Sequence, residues 1–423
     1  MSEYVELELT SVAHGGEAMG RHAGQFIFVP YGAPGDRVRV EIVERGKNWA
    51  RARLIDILQP SPDRVEPPCP YYGECAGCQL QHLAYSAQLA AKREIVRDQL
   101  TRLGRLPDVH VRPVIGMADP WRYRNCISLY PTPEGGLGIR DVGSRQVVPI
   151  ETCLLFHPLI EDLFAALDLE MTGLQQITLR AGTRTGDQML IFETQEDQAP
   201  ELEVELPISC VLKQRDGDVN VLMGDEWLEE ILAGRRFRIS APSPFPINTE
   251  LAEQMISVVH DWLDPHGDEL LLHAGSGVGW LGLSLRHAVS GLIAVEENPW
   301  AVHDFMINAG DTPRVGIIEG PLAASLADIE EPLDLAIVTP SESGLDREGV
   351  AELKRLAPSR LIYEAHDVAI LARDAIWLSQ AGYMLTEVQP VDMLPQTSRV
   401  HILARWEKVT HSSSTPALNE TKP

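Results

Sequence analysis

The stretch CPYYGECAGCQL (residues 69–80) places Cys69, Cys75 and Cys78 within ten positions of a 423-residue chain that has only six cysteines. In a reducing compartment thiols rarely pair as structural disulfides, so cysteines gathered this closely bind a metal or carry redox chemistry. On chemistry alone, thiolate sulfur suits the soft iron of a cubane cluster and tetrahedral zinc equally well. A second constellation lies in the last third of the chain. HAGSGVG (273–279) falls at a strand-to-helix turn, and AVEEN (294–298) ends the next strand on acids. Gly275, Gly277 and Gly279 let the backbone approach a ligand closely, and Glu296 is placed to accept hydrogen bonds from ribose hydroxyls. Together they point to an adenosyl-ligand site, although a ligand-free βα turn uses the same glycines. A third set is basic. RVRVEIVERGKNWARARL (37–54) and WRYRN (121–125) alternate arginines with apolar or aromatic residues, a pattern of either a solvated strand face or a local nucleic-acid surface. Its candidates are Arg37, Arg39, Arg51, Arg53, Arg122 and Arg124.

These groups need a scaffold, and the composition allows a large one. With 44% hydrophobic residues the chain buries real cores, and its length suggests about three domains. No run of about eighteen apolar residues occurs, and MSEYVELELT lacks the basic-then-apolar order of a signal peptide, so a cytoplasmic protein without a membrane partner is expected. The formal net charge of −25 requires any nucleic-acid contact to be local. Short strand-like runs with turn punctuation over residues 1–58 predict a small β-barrel. The proline-rich QPSPDRVEPPCP reads as a stiff linker, and QHLAYSAQLAAKREIVRDQLTRLG has helical periodicity closed by Gly104. Residues 59–240 read as the cysteine segment followed by a mixed α+β middle domain. Over 241–408 helix-like and strand-like runs alternate, predicting a parallel sheet with crossover helices, one of them GWLGLSLRHAV. The polar, proline-bearing tail 409–423 is expected to be disordered.

The order of these pieces resembles the RNA uracil-5-methyltransferase family, whose bacterial members act on ribosomal or transfer RNA. The likeness runs from VELELTSVAHGGEAMG through the cysteine segment, VIGMADPWRYRN, GSRQVVPIETC, FPINTELAEQM, GSGVGWLGLSL, SGLD, AILARD and VDMLPQT, and ends near residue 406. The resemblance implies a TRAM barrel of OB-like form, a middle α+β domain and a Rossmann-like class I methyltransferase domain. It also implies a [4Fe–4S] cluster, S-adenosylmethionine and an RNA partner, with a monomer expected. Members hold the cluster with a C-x5-C-x2-C run and a distant fourth cysteine. Cys69, Cys75 and Cys78 match that run, and Cys153 in ETC matches the fourth. Cys126 and Cys210 have no partner pattern and read as small buried hydrophobes.

The catalytic end departs from the family. The implied reaction adds a cysteine thiolate to C6 of uracil, methylates C5, and removes the C5 proton with a base. The nucleophile's segment reads YEAHDVAILARD here, with His366 at that position, and QTSRVH puts His401 at the base. The family's D-P-P-R-x-G loop reads TPSESG, with Thr339 for the aspartate and Glu342 for the arginine. A cofactor-contacting glutamine is Pro246, while Asn248 beside it remains, and an aspartate after the third strand falls at Pro321. Gly275, Gly277, Gly279 and Glu296 survive, but proline supplies neither a side-chain acceptor nor a backbone donor, so cofactor affinity is expected to be reduced or lost. Two readings follow. One is an RNA-binding iron–sulfur protein of this family whose degenerate site no longer makes 5-methyluridine. The other is an RNA methyltransferase of altered chemistry, with His366 and His401 as bases helped by Asp367. A divalent metal between the two histidines is a minor third idea, set against two pocket histidines with no ligand.

Overall fold

Strict apolar–polar alternation in YVELELTSV turns Val5, Leu7 and Leu9 to one side of a strand, and this side faces inward. The computed structural model describes residues 3–133, 135–141, 146–167, 173–194, 207–214 and 217–409. In it strands Tyr4–Val12, Ala18–His22, Gln25–Val29, Arg37–Arg45 and Trp49–Gln59 close into a barrel around those residues and Ile27, Val38, Val40 and Ala52. The expected stiff linker is clamped to the barrel at Ser61 and Arg64. Asp36, wholly buried, accepts hydrogen bonds from Ser61 N (2.8 Å) and Ala33 N (2.8 Å) and pairs with Arg64, which also donates to Tyr31 O (2.9 Å).

Helix Tyr85–Arg102 follows the cysteine segment. Its apolar residues Ile95, Val96 and Leu100 share one core with Leu371 and Ala372 of helix Val368–Gln380, so it is fastened to the C-terminal part of the molecule. The middle region is a seven-stranded sheet in which strand Leu174–Ala181 lies between Gln188–Thr194 and Cys126–Pro131, with helix Pro158–Ala165 against it. A hairpin, Trp227–Leu232 with Arg235–Ser240, leads into the last region.

That region is a seven-stranded sheet ordered Val315–Glu319, Gly291–Glu296, Leu270–Ala274, Leu335–Val338, Arg360–Ala365, His401–Lys408, Tyr383–Val391. The first five strands are parallel, as the βα alternation predicts, whereas His401–Lys408 runs antiparallel to both its neighbours, Arg360–Ala365 and Tyr383–Val391. The stretch expected as helix GWLGLSLRHAV forms only a short 3-10 turn, Leu283–Ala288. Glycines at 279 and 282 are poor helix formers, and Gly279 sits at φ +92°. No helix among the described residues is long and apolar enough to cross a membrane. Of the tail expected to be disordered, residues 410–423 lie outside the described residues.

The face of helix Tyr85–Arg102 that meets the C-terminal region is not wholly apolar. Lys92 and Asp392 form an ion pair with neither side chain exposed, and Lys92 Nζ also donates to Leu394 O (3.2 Å). Tyr85 Oη donates to the other Asp392 oxygen (2.9 Å). Removing one member strands a buried charge. Asp392→Ala is therefore expected to lower unfolding free energy by about 3–5 kcal/mol in urea titration, and Lys92→Met with Asp392→Leu to recover most of that loss.

Candidate functional site

Cys69, Cys75, Cys78 and Cys153 line one cavity whose other walls are largely apolar, including Ile139, Ile150 and Leu155. None of the chain's six cysteines is in a disulfide. The first three come from a run of tight turns, where Gly77 N donates to Cys75 Sγ (3.4 Å), and Cys153 arrives from the start of the segment leading to helix Pro158–Ala165. Burial pushes the Cys78 thiol up to about 12, with the neighbouring Cys153 and Cys75 adding to the effect. Burial likewise raises Cys75 and Cys153. Four soft donors converging in an apolar enclosure fit a four-thiolate metal centre, since metal charge is what such a site needs to hold thiolates. Arg124 belongs to this wall. Expected on an RNA-facing surface, it lines the cysteine cavity, with its Nε buried and without a hydrogen-bond partner among the described residues. Cys210 is a core residue of the middle sheet, and Cys126 lies at the start of strand Cys126–Pro131.

The glycine turn has the shape the sequence predicts. Gly275 sits at φ +76°, and a Cβ there would lie 1.9 Å from the Thr339 carbonyl oxygen. Glu296, however, is already engaged: Oε2 accepts from Gly277 N (2.7 Å), and Oε1 accepts from Glu297 N and Asn298 N (both 2.9 Å). Three of its roughly four acceptor sites are thus taken by main chain. Asn248 is also occupied. Its Oδ1 caps helix Thr249–Leu263 by accepting from Leu251 N (3.2 Å), and its Nδ2 faces Met117 Sδ (3.1 Å) and Met393 O (3.4 Å). The turn fits an adenosyl ligand, while the side chains expected to grip one are held by protein partners.

A cleft of 380 Å³ opens at the carboxyl end of strand Arg360–Ala365. His366, at that strand's end, lines it. His401 begins strand His401–Lys408, and the two rings stand 4.4 Å apart, tilted by 56°. The fold therefore brings together the two residues that the resemblance sets at the family's nucleophile and base positions. Burial, aided by His366, Arg399 and Lys92, pulls the His401 imidazole well below its ordinary range, so it is neutral at physiological pH. The carboxylate of this pair is Glu364 rather than Asp367. Glu364 Oε1 lies 4.0 Å from His366 Nε2, its Oε2 accepts from Thr339 Oγ1 (3.0 Å), and burial raises its pKa. Asp367 is drawn elsewhere. It caps helix Val368–Gln380 through Ala369 N (2.7 Å) and pairs with His14 of the barrel (3.4 Å), which pulls it down to about 2. Glu364 was findable in YEAH, because residues two apart on a strand share a face.

The barrel arginines lie outside, on one face of strands Arg37–Arg45 and Trp49–Gln59. Each meets a carboxylate: Arg37 with Glu6 (3.4 Å), Arg39 with Glu6 (3.1 Å) and Asp56 (3.3 Å), Arg51 with Glu17 (2.9 Å), and Arg53 with Glu41. Arg122, half-exposed, pairs with Glu161 (2.8 Å). The surface is a mixed-charge lattice, and its exposed pairs are individually weak enough for a phosphate to displace the acid.

Comparison with known proteins agrees with this arrangement. Residues 2–55 match the TRAM domain family. The chain is 31% identical to the 23S rRNA (uracil(1939)-C(5))-methyltransferase RlmD of Shewanella amazonensis, over 97% of each chain. It is also 31% identical to an uncharacterized RNA methyltransferase of Thermosynechococcus vestitus, over 95% of this chain and 97% of that one. The tRNA (uracil-54, C5)-methyltransferase of Pyrococcus abyssi, solved with S-adenosyl-L-homocysteine, shares the fold with a TM-score of 0.75 at 24% identity, covering 95% of this chain and 100% of that one. A TRAM barrel, a methyltransferase sheet and full-length similarity of this degree place the chain in the RNA uracil-C5 methyltransferase family.

Proposed function

We propose that the protein is an RNA-binding, iron–sulfur member of this family that acts in the cytoplasm on ribosomal or transfer RNA without forming 5-methyluridine. The observation that carries this reading is the absence of a thiol from the cleft: among the described residues no cysteine lines it, His366 lines it at the position the resemblance gives to the nucleophile, and His401, at that of the base, stands in ring contact with His366. A thiolate adding to C6 of uracil leaves a neutral thioether and an enolate whose C5 is strongly nucleophilic. A neutral imidazole adding there carries positive charge into the adduct and gives less driving force at C5. His401 is also ill-suited as the base, because an imidazole held well below its ordinary range accepts the C5 proton weakly. On the cofactor side, three main-chain N–H groups on Glu296 and the structural use of Asn248 support weak binding of S-adenosylmethionine.

Tritium release from 5-tritiated uridine RNA, with protein and S-adenosylmethionine, tests the catalytic part. No release above a no-enzyme control is expected from the wild-type chain or from His366→Cys, because nucleophile, base and their loop act as a unit. Release from the wild type sinks the proposal.

Four thiols around one cavity support a cluster held by Cys69, Cys75, Cys78 and Cys153, and the family resemblance favours iron over zinc. Bound there, a [4Fe–4S] group supplies a rigid cross-link between the turns of residues 69–78 and the Cys153 segment. Anaerobically purified protein should be brown with about four irons per chain, and Cys75→Ser should lose both colour and iron. Zinc in that cavity is the contrary outcome.

RNA contact is assigned to the barrel strands, whose guanidiniums can exchange carboxylate for phosphate. Binding should be weak and steeply salt-dependent against a chain of net charge −25. Changing Arg51 and Arg53 together to glutamate should reduce affinity and flatten the salt dependence in fluorescence titration. Unchanged affinity would remove the barrel as the RNA surface.

A further inference from the structure

Three donors meet at the head of the cleft. Ala365 pairs with Ile402 in the antiparallel ladder, so His366 and His401 are the next positions along it, facing each other. Glu364 precedes His366 by two residues and shares its side of the strand. One carboxylate oxygen and one ring nitrogen from each histidine lie within 4.8 Å of one another. Ligand atoms around a single ion at about 2.0–2.2 Å stand roughly 3–4 Å apart, so small side-chain rotations close the set.

The cluster is electrostatically incomplete as protein alone. Glu364 is 3% exposed, and among the described residues the one hydrogen bond it receives from a side chain is that of Thr339 Oγ1. Its Oε1 points toward His366 Nε2 across 4.0 Å, too far for a hydrogen bond. His401 Nδ1 is buried without a hydrogen-bond partner among the described residues. A buried carboxylate beside two imidazoles in ring contact lacks the cation that would offset its desolvation.

We propose that Glu364, His366 and His401 bind a divalent first-row transition ion, with zinc as the reference case. Two imidazoles and one carboxylate favour a borderline ion over magnesium or calcium, which take oxygen ligands. Three protein ligands leave a position open toward the 380 Å³ cleft, as in catalytic rather than closed structural sites, and water or an oxygen of a bound molecule fills it. The Thr339 hydroxyl orients Glu364 from behind, and Glu342 adds negative charge to the cleft wall. Asp367 takes no part, since His14 and the helix N-terminus hold it. The site stands whether or not uracil is methylated, and its test uses a different readout.

The experiment uses the full chain with its cysteine centre loaded, and zinc or cobalt(II) alone as the probe. Equilibrium dialysis should show about one zinc per chain beyond that centre. Cobalt should give visible d–d absorption without sulfur-to-metal charge transfer. His366→Ala should weaken zinc binding by more than about a hundredfold, and Thr339→Val by about tenfold, with iron content and metal-free melting unchanged in both. Wild-type protein that takes up no additional zinc, or His366→Ala that binds like wild type, overturns the proposal. Should His366→Ala fail to fold, the wild-type cobalt spectrum decides, and sulfur charge transfer in it overturns the site.

Discussion

The ion pair between Lys92 and Asp392, with no exposed surface on either side chain, is the joint on which the rest of the molecule depends. Its desolvation makes it a poor source of net stability, so its effect is placement: two charges that must meet allow only one docking of helix Tyr85–Arg102. Around it Gln88 Nε2 donates to Gln396 Oε1 (2.9 Å), Leu80 N donates to Gln396 O (3.0 Å), and Tyr123 Oη donates to Pro395 O (3.0 Å). Gln396 is held at φ +71°, a conformation a non-glycine residue keeps only when its surroundings fix it. The loop so fixed delivers strand His401–Lys408, and with it His401. The cysteine segment is therefore joined to the cleft by direct contacts, and the metal centre proposed for the cysteines is the natural stiffener of that path.

The cleft is completed from the other side by the barrel. His14 and Gly15, in the turn between the first two strands, form part of its wall, and a Cβ on Gly16 would stand 2.8 Å from Ser398 Cβ. A bound molecule entering the cleft therefore meets the barrel, the carboxyl end of the sheet and the 398–400 loop together. Open α/β sheets bind ligands at the carboxyl ends of their strands, and this one keeps that position with different groups at it.

Much of this was legible in the residues. Alternation in YVELELTSV and the βα succession after residue 245 announced the barrel and the parallel sheet, because burying one face leaves a period in the chain. The spacing of Cys69, Cys75 and Cys78 reads as a soft-ligand set, and the structure gathers the three with Cys153 around one cavity. What stayed hidden depends on long-range pairing. Lys92 looks like a solvated helix position until Asp392, three hundred residues on, comes to meet it. Arg124 alternates with aromatic residues like a surface strand, yet turns inward to the thiols. Glu296 carries the acid that a ribose needs, and the sequence has no signal that three main-chain N–H groups will occupy it first. The barrel arginines read as a basic stripe because their acidic partners lie on neighbouring strands, in register but distant in the chain.

Set against the pattern that the resemblance implies, the residues in and around the cleft are mutually consistent, as the proposed remodelling requires. An aspartate at position 339 would set a second carboxylate against buried Glu364, whereas Thr339 donates a hydrogen bond to it. An arginine at 342 would repel a bound cation, and a glutamate attracts one. A glutamate at 401 would add a third acid to a buried corner, while an imidazole faces His366 at 4.4 Å. Thr339, Glu342, His366 and His401 thus agree on one local chemistry, imidazole nitrogens beside an oriented buried carboxylate with a second acid at the cleft wall. Unconstrained drift has no reason to make separate segments agree at one point in space, and the ion proposed for this corner would account for their agreement.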